Sequence, residues 1–330
     1  MLPDEGMAAT WLRGHDVGVV VEHAPAALLR FGGSWRRHLL STLLALPAYW
    51  WRAARVLRGY DVVHINDLRG LLLVGPSAVL ARRPWLVHVH NGEVGGRAWK
   101  LLVRPLLAAR VPLVVASRRG ARGWGGAAVG RLHEVPCQAR TRARSPEAPV
   151  PTVVTLARLH PAKGLGVLLE AVRMVQQRGL DVETLVVGPD SPGHEVLAED
   201  LRCLGAGIPG VRFLGLLDEP WEVASTGWVY AQPSFDEPFG MGALEAAAAG
   251  LPAVASDVGG LRDVVDDGVT GVLVPPGDAL ALADALERLL RDADLRARLG
   301  AAGQRRVAAQ FGPELFVERI AGVYADLGAR

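Results

Sequence analysis

The sequence of 330 residues predicts an α/β protein made of two doubly wound, Rossmann-like domains facing a central cleft. Three observations predict it. Short apolar strands alternate with helical patterns along both halves, as parallel sheets covered by helices require. A Pro-rich, charged and aperiodic stretch, residues 138–151, interrupts the alternation near the middle. Charge also reverses across that stretch: residues 1–150 hold 21 Lys and Arg against 9 Asp and Glu, whereas residues 151–330 hold 15 against 25.

The elements follow in order from local pattern. In the first half, runs rich in Val and Ile place strands at 16–22, 61–65, 85–90, 112–117 and 131–136. Helices fall between them, the longest from about Ser34 to Arg58. The stretch 138–151 is expected to be a linker. The second half restarts with a strand at 152–158, then a helix from Gly164 to Arg178 on which Leu165, Leu168, Val172 and Val175 share one stripe. Further strands are expected at 183–188, 211–215, 228–232, 252–256 and 271–275, with a helix starting near Met241 and a last one from Pro313 to Leu327. The expected division is 1–148, 149–311 and a closing helix within 312–330.

Composition narrows the function. Half of the residues are apolar, which suits sizeable cores and argues against disorder. The two cysteines, Cys137 and Cys203, have no metal spacing, so a reducing, cytoplasmic setting is expected, with no secretory leader. The most lipid-like run, 39–51, is too short to span a bilayer. The basic first half suggests an anionic partner there, such as the inner face of a membrane; attraction between the two halves explains the same asymmetry. Nucleic acid is not an expected partner.

Residues 235–260, FDEPFGMGALEAAAAGLPAVASDVGG, form an apolar, alanine-rich stretch that keeps Glu237 and Glu245. Pro238, Gly240 and Gly242 hold Glu237 on a loop, and a helix starting near Met241 puts Glu245 in its first turns. Both carboxylates can then face the space above a helix N-terminus, where free N–H groups attract anions. At LARLHPAKG (156–164), Arg158 ends a strand and Lys163 stands where a helix begins, against the helix dipole. A diphosphate explains both cations, and a solvated basic loop is the plainer alternative. Glycines at strand ends, Gly188 among them, either approach a nucleotide or make ordinary turns. His64, His88 and His90 cluster at two strand ends; a metal is not expected, and His90 is the candidate to hydrogen-bond a sugar, with a packed histidine as the alternative, above all for His88. No Gly-x-Gly-x-x-Gly turn follows a strand, which argues against a dinucleotide oxidoreductase.

These residues match a known family. PSFDEPFGMGALEAAAAGLPAVASDVGGLRDVVDDGVTGVLVPPGD (233–278) resembles the donor-site signature of the retaining glycosyltransferases of family 4, which have the GT-B architecture. LARLHPAKG resembles that family's diphosphate-binding segment, and RGHDV, DVVHIND and HVHNG match more loosely in the first half. The resemblance implies that Glu237 accepts hydrogen bonds from the donor sugar and Glu245 from the ribose diol. It implies that Arg158 and Lys163 neutralise the diphosphate and that His90 lies on the acceptor side. Backbone N–H groups of Gly240 and Met241, with Gly242 and Gly188, would complete the donor pocket, and the last helix would pack back across both domains. The implied donor is a nucleotide-diphosphate sugar, the acceptor a sugar, glycan, lipid-linked or small molecule. No Asp-x-Asp metal motif is present, so no metal or further cofactor is expected. Family members open with a strand and a Gly-Gly loop where only MLPDEGMAATWL precedes RGHDV, so the first strand is expected to be missing. A truncated or degenerate nucleotide-sugar-binding protein without efficient turnover is therefore the competing expectation.

Overall fold

The structure is a computed structural model that describes residues 39–66, 69–90, 111–119 and 131–328. The expected strand at 16–22, the first residues of the helix from Ser34, the loop after His90 and the missing first strand lie outside the described residues.

The first domain runs α1 (Leu39–Leu57), β1 (Val63–Asn66), α2 (Arg69–Ala81), β2 (Trp85–Val89), β3 (Pro112–Val115) and β4 (Arg131–Glu134). Its strands pair in parallel in the order β1-β2-β3-β4. Successive residues of a strand point to opposite faces. Val87, Leu113 and Val115 accordingly pack under α1 and α2 with Ala54, Leu57, Leu71 and Ala78. Leu86 and Val114 face the other side, against Val323 and Ile320 from the end of the chain. Burial on both faces is why these strands read as unbroken apolar runs.

The second domain runs β5 (Thr152–Leu156), a 3₁₀ turn (Pro161–Lys163), α3 (Leu165–Gln177), β6 (Glu183–Val187), α4 (Glu195–Ala206), β7 (Val211–Gly215), α5 (Pro220–Ala224), β8 (Val229–Gln232), α6 (Met241–Ala248), β9 (Ala253–Ser256), α7 (Leu261–Val264), β10 (Gly271–Val274), α8 (Ala279–Arg291) and α9 (Ala293–Gln310). All its strands are parallel, in the order β10-β9-β8-β5-β6-β7. Strand order thus reverses between β5 and β8, and the crevice at such a reversal is where open α/β sheets bind ligands. Helix α8 shows how local sequence serves this core. The Asp278 side chain caps it by accepting from the Ala281 N–H at 2.9 Å, and Leu282, Leu286 and Leu289 bury one stripe against the sheet and α3.

A last helix, α10 (Pro313–Asp326), returns to the first domain. Its Val323 joins Leu86, Val114 and Val135, and Tyr324 Oη lies 2.7 Å from His64 Nδ1. Residues 138–151 are irregular, as the sequence suggests, yet they form a strap fastened to the second domain. Ala139 N–H donates to Phe311 O, Arg142 N–H to Ala248 O and Ala148 N–H to Thr226 O. Arg296, 3% exposed, anchors the strap: it donates to both Glu147 carboxylate oxygens (3.0 and 2.9 Å) and to the Leu289 and Leu290 carbonyls, and it stacks 4.2 Å over Trp228. A buried guanidinium is tolerable only when its donors are satisfied this fully. Contacts with the second domain therefore begin near Ala139, ahead of the boundary at 148. Among the described residues no helix is long and apolar enough to cross a membrane.

Candidate active site

The loops leaving β5 and β8 bring the two expected segments together at the reversal. Lys163 Nζ donates to Glu237 Oε2 at 2.7 Å, with the carboxylate buried and the ammonium partly exposed. Gln232, the last residue of β8, donates from Nε2 to the same oxygen at 2.7 Å, and Ser234 Oγ lies 3.4 Å from it. Gln232 also accepts from the Ala243 N–H at 3.0 Å, tying the carboxylate loop to the first turn of α6. All three side-chain donors converge on Oε2, and among the described residues no side-chain hydrogen bond reaches Oε1 of Glu237. The anion that Lys163 needs at its helix terminus is thus supplied by the protein itself, and a diphosphate is not required to explain it.

Backbone conformation holds this geometry. Gly164 has φ +63, and a Cβ there would lie 1.9 Å from Pro233 O, so the loops after β5 and β8 touch through a glycine. Gly240 caps α6 with φ +106. Among the described residues, no hydrogen bond uses the N–H of Met241 or Gly242. Those groups form the positive end of α6.

Glu245 stands one helical turn further on and is half-buried. It forms no ion pair among the described residues; Trp221 Nε1 donates to its Oε2 at 2.5 Å. Between the two carboxylates lies Tyr230, fully buried, its hydroxyl 3.4 Å from Leu156 O. Burial first, and then the charges of Glu237 and Glu245, hold that phenol well above its usual range, so it stays protonated.

The remaining expected residues separate into three groups. Arg158 is exposed just beyond β5 and forms no ion pair among the described residues, a cation available to an incoming anion. Gly188 and Gly242 have structural reasons that need no ligand. Gly188 donates its N–H to Gly215 O at 2.8 Å, and a Cβ on it would meet Ala157 O at 2.1 Å; a Cβ on Gly242 would lie 2.0 Å from the Tyr230 hydroxyl. His90 stands on the other sheet, exposed, with Nε2 2.6 Å from Asn66 Oδ1. Its neighbour His88 is buried, with ring centroids 4.2 Å apart, and His64 lies 5.3 Å from His88. Burial first, then the neighbouring imidazoles, pushes His88 down to about 3, and the same causes lower His64, so neither carries charge near neutrality. Among the described residues no group of three His, Cys, Asp or Glu is placed to hold a metal ion.

Sequence reasoning missed Gln232 and Trp221, which position the two glutamates, and it missed the contact between domains. Ser117 Oγ, after β3, donates to Asp263 Oδ2 at 2.5 Å, and Arg119 Nε lies 3.3 Å from Asp263 Oδ1. Asp263 belongs to α7, and Gly260 before that helix donates its N–H to Glu237 O at 2.9 Å. The first domain therefore reaches the carboxylate loop through one short helix. A polar residue at a buried strand end, as in Gln232, was the one signal available.

Residues 150–292 match the family described as glycosyl transferases group 1. The chain is 34% identical over 358 residues to a D-inositol 3-phosphate glycosyltransferase of Xylanimonas cellulosilytica, covering 95% of this chain and 83% of that one. It is 44% identical over 161 residues to a phosphatidyl-myo-inositol mannosyltransferase of Mycobacterium leprae, where the match spans 47% of this chain and 41% of the relative. Among solved structures, the fold resembles Anabaena HepE in complex with UDP and glucose (TM-score 0.81, 20% identity, 98% of this chain and 90% of that chain). It also resembles sucrose-phosphate synthase from Thermosynechococcus elongatus (TM-score 0.74, 27% identity, 94% and 83%). These likenesses bear out the GT-B architecture of two facing α/β domains.

Proposed function

The chain belongs to the glycosyl transferases group 1 family, and from that premise we propose that it moves a sugar from a nucleotide-diphosphate sugar to an acceptor, with retention of anomeric configuration and without a metal. The observation that carries this reading is the Lys163–Glu237 pair at the strand-order reversal, beside the open N–H groups of α6 and the unpaired Arg158. Breaking a sugar–phosphate bond builds positive charge at the anomeric carbon and negative charge on the departing diphosphate. Arg158, Lys163 and the N–H groups at Gly240 and Met241 meet the diphosphate. Their attraction grows as the bond breaks, which is what accelerates the step. Glu237, buried and anionic, accepts from the sugar hydroxyls through Oε1 and lies where positive charge develops. Glu245 takes the ribose diol. His90 faces the acceptor from the first domain.

With the cations supplying charge neutralisation, the reaction proceeds by front-face attack of the acceptor hydroxyl as the diphosphate leaves, its proton passing to a diphosphate oxygen. The names of the relatives make inositol phosphates and inositol lipids the first acceptors to try. A cytoplasmic enzyme peripheral to an anionic membrane fits α1, where Leu44 and Trp51 are exposed and Arg55 stacks 4.7 Å over Trp51. Co-sedimentation with anionic vesicles that weakens with salt is expected; equal binding to neutral vesicles would remove that part.

The test of the reading is a thermal-shift panel of UDP-, GDP- and ADP-sugars, followed by turnover with the stabilising donor. Stabilisation of about 2.7 kcal/mol is expected at a hundred times the dissociation constant, together with sugar transfer. No shift with any donor overturns the reading. Binding without transfer to any acceptor favours a binding protein that does not turn over.

A further inference from the structure

The indole of Trp221 is partly buried and packed against two apolar clusters of the second domain. Its ring packs against the apolar clusters on one face of the second sheet, beside Leu156, Val154, Ala224 and Tyr230 of its central strands and the short helix α5. The Tyr230 ring lies 6.3 Å from it at 30°, and the strap brings the Arg142 guanidinium to 6.0 Å. A ring packed in this way offers the Glu245 carboxylate a donor at a defined place. The bond is short, 2.5 Å from Nε1 to Oε2.

The kind of donor matters as much as its position. Glu237 is held by a cation and two neutral donors, whereas Glu245 forms no ion pair among the described residues. Indole N–H donates one bond, accepts none and adds no charge. It orients Glu245 without neutralising it, leaving Oε1 anionic and aimed. An Arg or Lys in its place would orient the same carboxylate and satisfy it.

We propose that Trp221 is a positioning residue: it fixes one oxygen of Glu245 so that the other meets both hydroxyls of the nucleotide ribose, and through it the protein distinguishes ribonucleotides from 2′-deoxyribonucleotides. This rests on the reading of Glu245 as the ribose-binding carboxylate. A carboxylate oxygen held in place accepts from two vicinal hydroxyls at once; one that swings gains little from the second hydroxyl, because ordering it cancels the gain.

The experiment is calorimetric binding of UDP, GDP, their 2′-deoxy counterparts and inorganic pyrophosphate to the full chain and to four variants. These are Trp221→Phe, Trp221→His, Glu245→Ala and the double variant Trp221→Phe/Glu245→Ala. In the unaltered protein the better of UDP and GDP is expected to bind about tenfold tighter than its deoxy form, or about 1.4 kcal/mol. Trp221→Phe should abolish that preference by weakening the ribonucleotide alone, with pyrophosphate affinity unmoved. Trp221→His, which packs worse but keeps a ring N–H, should recover part of it. In the Glu245→Ala background, Trp221→Phe should add nothing.

A full ribose preference in Trp221→Phe overturns the proposal. So do equal losses for ribo, deoxy and pyrophosphate ligands, additive losses in the double variant, or a Trp221→His variant worse than Trp221→Phe, since each marks a packing role. If Trp221→Phe does not fold, Trp221→His against Glu245→Ala decides: preference lost in both or retained in both overturns it, and partial retention in Trp221→His alone supports it. If neither diphosphate binds the unaltered protein, the donor reading itself has failed. If they bind but without ribose preference, only the present proposal falls.

Discussion

Both sheets gather polar side chains at the carboxyl ends of their strands, but they treat them in opposite ways. In the second domain Lys163 pairs with Glu237, Trp221 donates to Glu245, and Arg158 is exposed just beyond β5. In the first, His64, His88 and His90 stack on one another, and burial holds His88 and His64 neutral. The difference follows from topology. Strand order reverses between β5 and β8, and the loops leaving those neighbours touch at Gly164 and Pro233, which sets their charged side chains against each other. The four described strands of the first sheet run in simple order, and α10 covers their far side, with Tyr324 bound to His64. The second sheet thus keeps an ion pair at its reversal, and the first keeps the neutral imidazoles of His64 and His88 beside α10.

The sharpest way to break that contrast is at the charged pair. Glu237→Gln is expected to lower turnover about 100- to 1000-fold, the size of effect seen on removing one transition-state contact, with the fold unchanged. Gln keeps the hydrogen bonds with Ser234 and leaves Lys163 able to turn to solvent. Lys163→Ala should lower turnover as far and also cost about 1–3 kcal/mol of stability, because it leaves a buried carboxylate with neutral donors only. Near-normal sugar transfer by either variant would remove the second domain's claim to the chemistry. Position on a loop at a strand end suggests that Lys163 is dispensable to the fold; its partner 74 positions away makes it otherwise.

The strap tests whether the second domain's rigidity depends on one side chain. Arg296→Ala should destabilise that domain by about 3 kcal/mol in urea unfolding, the lower end of the range for a broken buried ion pair because Glu147 is partly exposed. A change below about 0.5 kcal/mol, the size of an ordinary surface substitution, would show that backbone bonds alone hold the strap.

The neutral histidines predict a pH dependence confined to the first domain. The folded state holds His88 near 3 while the unfolded chain titrates at its usual value. Between those values the unfolded state binds more protons, so stability is lost as pH falls from about 6.5 and recovers as pH rises. At its steepest the loss is about 1.4 kcal/mol per pH unit. His88→Leu should flatten the curve, measured as melting temperature from pH 7 to pH 4. An unchanged slope would show that His88 is protonated in the fold.

Tyr324→Phe is the mildest change. It removes the hydroxyl bound to His64 and should cost about 1 kcal/mol, with faster hydrogen exchange limited to α10 and β1. No change in exchange would mean that apolar packing of Val323 alone docks the helix.

Much of this was legible from the chain. Val-rich runs placed the strands to within one or two residues, since a strand buried on both faces must read as an apolar run. Glu237 and Glu245 stood out because carboxylates in an alanine-rich stretch cannot be there for packing. Other features carry less information in the sequence, for reasons of the same kind. A glycine at a strand end looks alike whether a ligand or a carbonyl comes close, and at Gly188 it is the Ala157 carbonyl. An irregular, charged stretch reads as a linker whether it hangs free or, like residues 139–148, is stitched down.

The sequence by itself determined the strands and helices and the loops that carry charge, because these depend on propensity and periodicity over a few neighbouring residues, and its motifs carry the family resemblance. Only the tertiary structure decided which of them meet. The reversal of strand order set β5 beside β8 and thereby Lys163 beside Glu237; the short helix α5 delivered Trp221 to Glu245 across 24 positions; α10 carried Tyr324 back to His64 across 260. Such pairings are chosen by the burial of whole faces and the closure of long loops, and no local pattern records which distant partner will fill a place.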